Sequence, residues 1–337
     1  MDPAAAPAPV EPRPPPTPLG GAALRTWGVR ALRAAVTVAA TWWVVHRLPA
    51  GELGSISEAL PRWTLAMPSA VMAVNTMLLA ERHRTALAAL GHAVPLGELV
   101  LLHLRSAFAA LVLPRGGADL TRVAVLARQT GDLEGVLAAA LHLRVVDLGL
   151  WIGLLVVFLL QGPWPGLRAL ELAAAAVIGA GIGILVALPV GVRLAGDRVG
   201  RLPWIGARAL RIVEALRAAA GAGRATLRIA ALGLPMALGN IASVSVLFWA
   251  AGVEIPLPRQ IGLVPAMDAV LSLPITVGGV GLRESVFILV GESFGIAAPA
   301  ALAIAWTRWT GELSRGLVGG LSLWISGGWG QRRQRET

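Results

Sequence analysis

The chain has 337 residues, of which 56% are hydrophobic and 14% charged, with a mean hydropathy of +0.70. Soluble domains carry about a quarter charged residues, so lipid must be the solvent for much of this chain. The length leaves room for roughly seven to nine spans of about 20 residues and excludes a large soluble catalytic domain beside them. The absence of cysteine excludes disulfides, thiolate metal sites and cysteine nucleophiles.

All 29 basic residues are arginine, and the net charge is +10. That balance suits a protein lying against anionic headgroups, and no soluble basic domain is present to take nucleic acid. The five histidines show no metal-ligand spacing, so no metal or other cofactor is expected.

Residues 1–20 are rich in Pro and Ala and predict a disordered tail. Arg25, Arg30 and Arg33 then lead into an apolar stretch with no small-residue cleavage site, which argues against a signal peptide. The predicted spans follow at 27–48 and 63–80, the second closed by Glu81, Arg82, His83 and Arg84. A shorter apolar stretch at 98–113 contains His103 and Arg105, for which snorkelling to an interface is the simpler reading. After the loop LPRGGADLTR at 113–122 come spans at 136–160 and 168–190. Residues 191–228 hold eight arginines, and the portion 201–228 predicts an interfacial amphipathic helix that anchors the chain. A span at 229–251 precedes the apolar segment 260–295, which is broken by Pro274, Gly278, Gly279 and Gly281. The last span is 297–325, before a basic tail at 331–337. Tryptophans near span ends (Trp27, Trp63, Trp164, Trp204, Trp324) suit an aromatic belt or ordinary packing.

The two glycine-rich breaks resemble each other. LPRGGADLTR and LPITVGGVGLRE (273–284) both give Leu-Pro, Gly-Gly, Leu and Arg in order. Gly131 precedes Arg144 by thirteen residues, as Gly295 precedes Arg308, and the acids Asp147 and Glu312 follow their arginines by three and four. These spacings put each acid on its arginine's own helix face. The chain therefore divides into repeats at 27–160 and 168–325, each with three spans and one re-entrant segment within a single domain at 21–330. An odd number of crossings inverts the second repeat. With both termini cytoplasmic in an inner, plasma-membrane setting, the arginines concentrate on the cytoplasmic side, as the positive-inside rule requires.

Broken backbone at membrane depth is tolerated only in protein or along a wet cavity. A helix starting after such a break aims N–H groups at an anion. The charges Arg115, Asp119, Arg122, Arg144, Asp147, Arg283, Glu284, Arg308 and Glu312 cluster around the two breaks. Intramembrane charges of this kind mark a substrate path, unless they are structural ion pairs.

At these residues the sequence resembles the flippase-like transmembrane domain of the lysylphosphatidylglycerol synthase family. The first matching run is Pro114, Arg115, Gly116 and Arg122, followed by Arg144 and Asp147 on the next helix. The second is Leu273, Pro274, Gly278, Gly279, Gly281, Arg283 and Glu284. Where the family pattern has an acid after the first glycine, this chain has Gly117, with Asp119 two positions on. The resemblance covers about 27–325 and implies binding or movement of a membrane lipid, such as an anionic phospholipid or lipid-linked molecule, between leaflets. The aminoacyl-transferase domain of full-length synthases has no counterpart in these residues, so no lipid aminoacylation is implied. No catalytic constellation is readable. The alternative on the same frame is a secondary transporter of a small anionic solute.

Overall fold

A computed structural model describes residues 35–36, 38–46, 59–112, 117–199, 206–272, 276 and 279–326; side chains of 112, 117, 188–199 and 206–209 are left aside. Among the described residues there is no strand, and the chain is a bundle of helices. Residues 38–46 are helical, within the first predicted span. After a short 3-10 turn at Arg62–Leu65, the helices are α1 (Ala66–Ala88), α2 (Leu96–Val112), α3 (Gly117–Thr130), α4 (Leu133–Leu160) and α5 (Arg168–Val199). They continue as α6 (Gly206–Gly221), α7 (Gly223–Ala250), α8 (Leu257–Ser272), α9 (Leu282–Ser293) and α10 (Ala298–Ser326).

Among the described residues, four segments are long and apolar enough to cross a membrane: Arg62–Ala88, Leu133–Leu160, Arg168–Ala187 and Gly223–Ala250. They fall on the predicted spans 63–80, 136–160, 168–190 and 229–251. Helix α10 has the length, at 29 residues, but carries Arg308, Glu312 and Arg315 in its middle. Each such charge costs on the order of 3 kcal/mol on insertion scales, so α10 needs protein partners for its polar face. By contrast α3 and α9 have 14 and 12 residues. At about 1.5 Å per residue each falls well short of a hydrocarbon core of about 30 Å.

Residues 201–228 do not form one amphipathic helix. The described part is divided at Ala222, which separates α6 from α7. Arg224 and Arg228 therefore begin a spanning helix, while α6 packs along α4, with Arg211 reaching Glu134 at 3.1 Å. Asp132 starts α4 by accepting a hydrogen bond from the Gly135 amide at 2.8 Å, which satisfies one orphan N–H of the first turn.

Helices in lipid gain little from the hydrophobic effect and associate by close packing, which favours small residues. Helix α10 shows this directly. A Cβ at Gly311 would meet the Pro68 carbonyl oxygen on α1 at 2.6 Å, and one at Gly319 would overlap the Leu104 carbonyl on α2. A Cβ at Gly262 on α8 would meet the Phe158 backbone on α4 at 2.6 Å. Two apolar clusters form around these crossings. One joins Leu155, Phe158, Phe248, Leu263, Met267 and Phe287; the other joins Leu87, Leu99, Leu126, Leu143 and Ile229.

Helices α1 and α7 lie side by side and antiparallel. Trp63 meets Trp249 at one end, Asn75 donates to Asn240 at 2.9 Å midway, and Glu81 meets Arg228 at the other end. Asn75 and Asn240 are separated by 165 residues, the same offset as Asp147 and Glu312 and one more than Arg144 and Arg308. Helix α2 packs on α10, and α8 packs on α4.

The Gly319 crossing gives a direct test. Gly319→Val should destabilise the protein by at least about 2 kcal/mol through overpacking. Gly153→Ala, where an added methyl meets nothing within 4 Å, should not destabilise and should gain up to about 1 kcal/mol from helix propensity. Unfolding in mixed micelles measures both.

Candidate functional site

Two cavities share a wall at the centre of the bundle. The larger, of about 590 Å³, lies between the two apolar clusters and is lined by α1, α3, α4, α7 and α8. The smaller, of about 460 Å³, is lined largely by α8, α9 and α10. Asp119, Arg144, Trp151, Asn240 and Asp268 face both. Leucine, valine and alanine make up half of the larger lobe's lining, beside Arg82, Arg122 and Arg144; the smaller has the polar set Arg283, Arg308, Trp309, Glu312, Ser272 and Gly279. At the edge of the larger lobe Leu120 is 70% and Leu141 43% exposed, so its rim offers an apolar surface.

The structure brings the described residues of both sequence breaks to this one place. Asp119 and Arg122 come from the start of α3, Arg144 and Asp147 from α4, Gly279 and Arg283 from the second break, and Arg308 and Glu312 from α10. Pro114, Arg115, Gly116, Pro274 and Gly278 lie outside the described residues. Gly281 is not a cavity residue. Its φ of 79° suits glycine, and a Cβ there would meet Ala40 at 2.7 Å, so it seats the 38–46 helix against the start of α9. Glu284 is buried and spent locally: its Oε2 accepts from the Gly281 amide at 2.7 Å and caps α9. It therefore does not orient the cavity arginines.

The ion pairs also differ from the spacing argument. Arg144 and Asp147 share a helix but do not pair. Arg144 bonds Asp119 on α3, and Asp147 bonds Arg82 on α1. Likewise Arg308 bonds Asp268 on α8, while Glu312 meets Arg283 on α9 at 3.5 Å. Each acid thus ties two helices together, where an i,i+3 or i,i+4 pair would serve only one. Asp119 serves both Arg144 and Arg122.

Across the two lobes stand the five arginines 82, 122, 144, 283 and 308 against the four carboxylates of Asp119, Asp147, Asp268 and Glu312. One guanidinium charge is left uncompensated by these side chains. Arg308 Nη1 is buried without a hydrogen-bond partner among the described residues, and such a donor is costly to leave unmet. Arg283 also lies over the Trp309 ring at 5.4 Å and Arg308 over Phe287 at 5.8 Å, contacts that offset part of the desolvation of a cation. A two-lobed cavity with one surplus guanidinium across its walls and a leucine-rich side can hold an anionic group attached to a hydrocarbon body.

Three groups were not foreseen. Arg82 looked like a span end, but α1 continues to Ala88, and the buried Arg82 also donates from Nε to the Ile229 carbonyl at 2.9 Å. Asp268 is the lone acid of an apolar run, which is the signal that could have marked it. His103 does not snorkel: it is buried and bonded on both sides. Arg122 can only donate, so His103 Nδ1 accepts from it at 2.8 Å. Neutral His103 then carries its proton on Nε2 and donates to His83 Nδ1 at 3.1 Å. His83 lines the larger lobe, so the hydrogen-bond chain runs from the cavity wall to Arg122. Arg105 reaches Ser322 and Ser326 near the end of α10.

The pairing makes a thermodynamic prediction. Asp268→Asn leaves Arg308 without its carboxylate and should cost about 3 kcal/mol, the usual penalty for breaking a buried pair. Arg211→Gln, which removes a half-exposed pair, should cost less than about 1 kcal/mol. Unfolding titrations of both variants check the ranking.

No curated protein and no solved structure gives a significant match to the chain. The family model described as "Lysylphosphatidylglycerol synthase TM region" matches residues 30–308, a range that includes both breaks and every cavity charge except Glu312. The chain is an integral membrane protein that belongs to the lysylphosphatidylglycerol synthase transmembrane family.

Proposed function

We propose that this protein binds a phospholipid or lipid-linked molecule and carries it between leaflets. The observation that carries the proposal is the two-lobed cavity: arginines line both lobes, the smaller is polar, and the larger adds a run of leucine, valine and alanine with exposed leucines at its rim. An anionic headgroup sits against Arg144, Arg283 and Arg308, and Arg122 holds Asp119 in place. The hydrocarbon part lies along the larger lobe and leaves past Leu120 and Leu141 toward the bilayer. Family membership supports a role in lipid handling.

The path rests on two inverted repeats, at 27–160 and 168–325. Their support is the antiparallel contact of α1 with α7, the Asn75–Asn240 bond between equivalent positions and the exchanged packing of α2 on α10 and α8 on α4. In this arrangement α2–α3 and α8–α9 are re-entrant pairs entering from opposite sides, which agrees with the short lengths of α3 and α9. Both termini are cytoplasmic, and the setting is the plasma membrane.

A small anionic solute would use the polar lobe and leave the apolar lobe without a purpose. Reconstitution with fluorescent phospholipids separates the two readings. The wild-type protein should exchange lipid between leaflets, and Arg283→Ala should slow exchange at least about tenfold, as loss of a desolvated charge contact does. Equal rates for wild type and Arg283→Ala would remove that residue from the path. Uptake of small anions without lipid exchange would establish the solute transporter instead.

A further inference from the structure

A second cleft, of about 620 Å³, lies between the end of α1, the connection at 89–95 and the start of α7. None of its lining residues lines the central cavity. Its charged side chains are Glu81, Arg84, His92, Arg224 and Arg228, set among alanines, Val94 and Pro95.

The charge balance of the cleft is one-sided. Glu81 accepts from Arg84 at 2.9 Å and from Arg228 at 2.6 Å, so one carboxylate serves two guanidinium groups. Arg224 is exposed and has no hydrogen-bond or ion-pair partner among the described residues. His92 is engaged by Asp132 at 2.7 Å. The first turn of α7 has no side-chain cap, so its amide N–H groups and positive dipole end add to the same field.

Depth in the membrane follows from the α1–α7 pair. Trp63 and Arg84 are 21 residues apart, and so are Trp249 and Arg228. At about 1.5 Å per residue both separations are roughly 31 Å, the thickness of the hydrocarbon core. The two exposed tryptophans approach to 6.5 Å at one end of the pair, and the arginines gather at the other. Tryptophans at one boundary set the arginine cleft at the opposite headgroup level.

We propose that this cleft is a second anion site, distinct from the central cavity, that takes a phosphate group. Arg84, Arg224 and Arg228 form its cationic wall, and Glu81 holds two of them in place. The phosphate comes from a lipid headgroup of the facing leaflet or from the aqueous phase, and the chemistry is the same for both.

Binding by the purified full-length protein in neutral detergent tests this. The probes are micelles doped with phosphatidylglycerol, micelles doped with phosphatidylcholine, and inorganic phosphate alone. Arg224→Gln removes no hydrogen bond or ion pair among the described residues and so should leave folding undisturbed; Arg128→Gln, an exposed arginine outside the cleft, controls for general charge. Arg224→Gln should weaken phosphatidylglycerol binding about fivefold, the contribution of one basic residue at an anionic surface, with Arg128→Gln near wild type. Phosphatidylglycerol binding that Arg224→Gln weakens, without phosphate binding, assigns the site to a lipid headgroup. Binding of inorganic phosphate that Arg224→Gln weakens assigns it to a free anion. Equal losses in the two variants, or no preference for phosphatidylglycerol together with no phosphate binding, would overturn the site.

Discussion

Every charge carried into hydrocarbon must find a partner or water, and this constraint organises the whole bundle. Arg82, Arg122, Arg144, Arg283 and Arg308 sit within helices that lipid should have kept apolar. Arg122 meets Asp119 on its own helix, but the other four reach a carboxylate on another helix, so those pairs cannot form until the helices have met. Pairs of this kind contribute little net stability against apolar replacements, yet are expensive to break singly. They specify which helices are neighbours rather than how tightly the neighbours hold.

Tightness comes from the glycines and small side chains at the crossings. Gly311, Gly316 and Gly319 let α10 approach α1 and α2 until a methyl group would collide with backbone or with a neighbouring side chain. Gly262 does the same where α8 crosses α4. Close crossings hold the cavity walls at fixed separation, while the ion pairs span the gap between them. The result is a rigid frame around a charged space, in which Asp119 and Arg144 belong to both lobes. A substrate that bonds to Arg144 competes directly with the contact joining α3 to α4.

Four of the spans and the positions of the two breaks were legible in the sequence because both rest on local composition. A run of apolar residues, or a Pro-Gly interruption within one, needs no knowledge of the fold. The identity of each ion-pair partner was not legible, since pairing across helices depends on packing. The spacing of Arg144 and Asp147 suggested one pair, and the structure gives each residue a separate partner on another helix. Glu284 looked equivalent to the other acids, but its position three residues after Gly281 makes it a helix cap. His103 looked able to snorkel because only its own helix was visible; α1 and α3 enclose it. For Trp164 the sequence left an aromatic belt and ordinary packing both open; it is buried and stacks on Phe158 at 4.9 Å.

The central claim is that the charges enclose a hydrated chamber within the membrane, not a dry set of structural pairs. The chain has no cysteine, so a single introduced thiol reports on its own surroundings. Ser272 lines the polar lobe, whereas Leu238 is exposed on the outer face of α7 and lines neither lobe. In reconstituted vesicles, Ser272→Cys should react with a charged, membrane-impermeant thiol reagent, and Leu238→Cys should remain inert in lipid. If Ser272→Cys proves as inert as Leu238→Cys, the chamber is dry and the account of a polar substrate path is wrong.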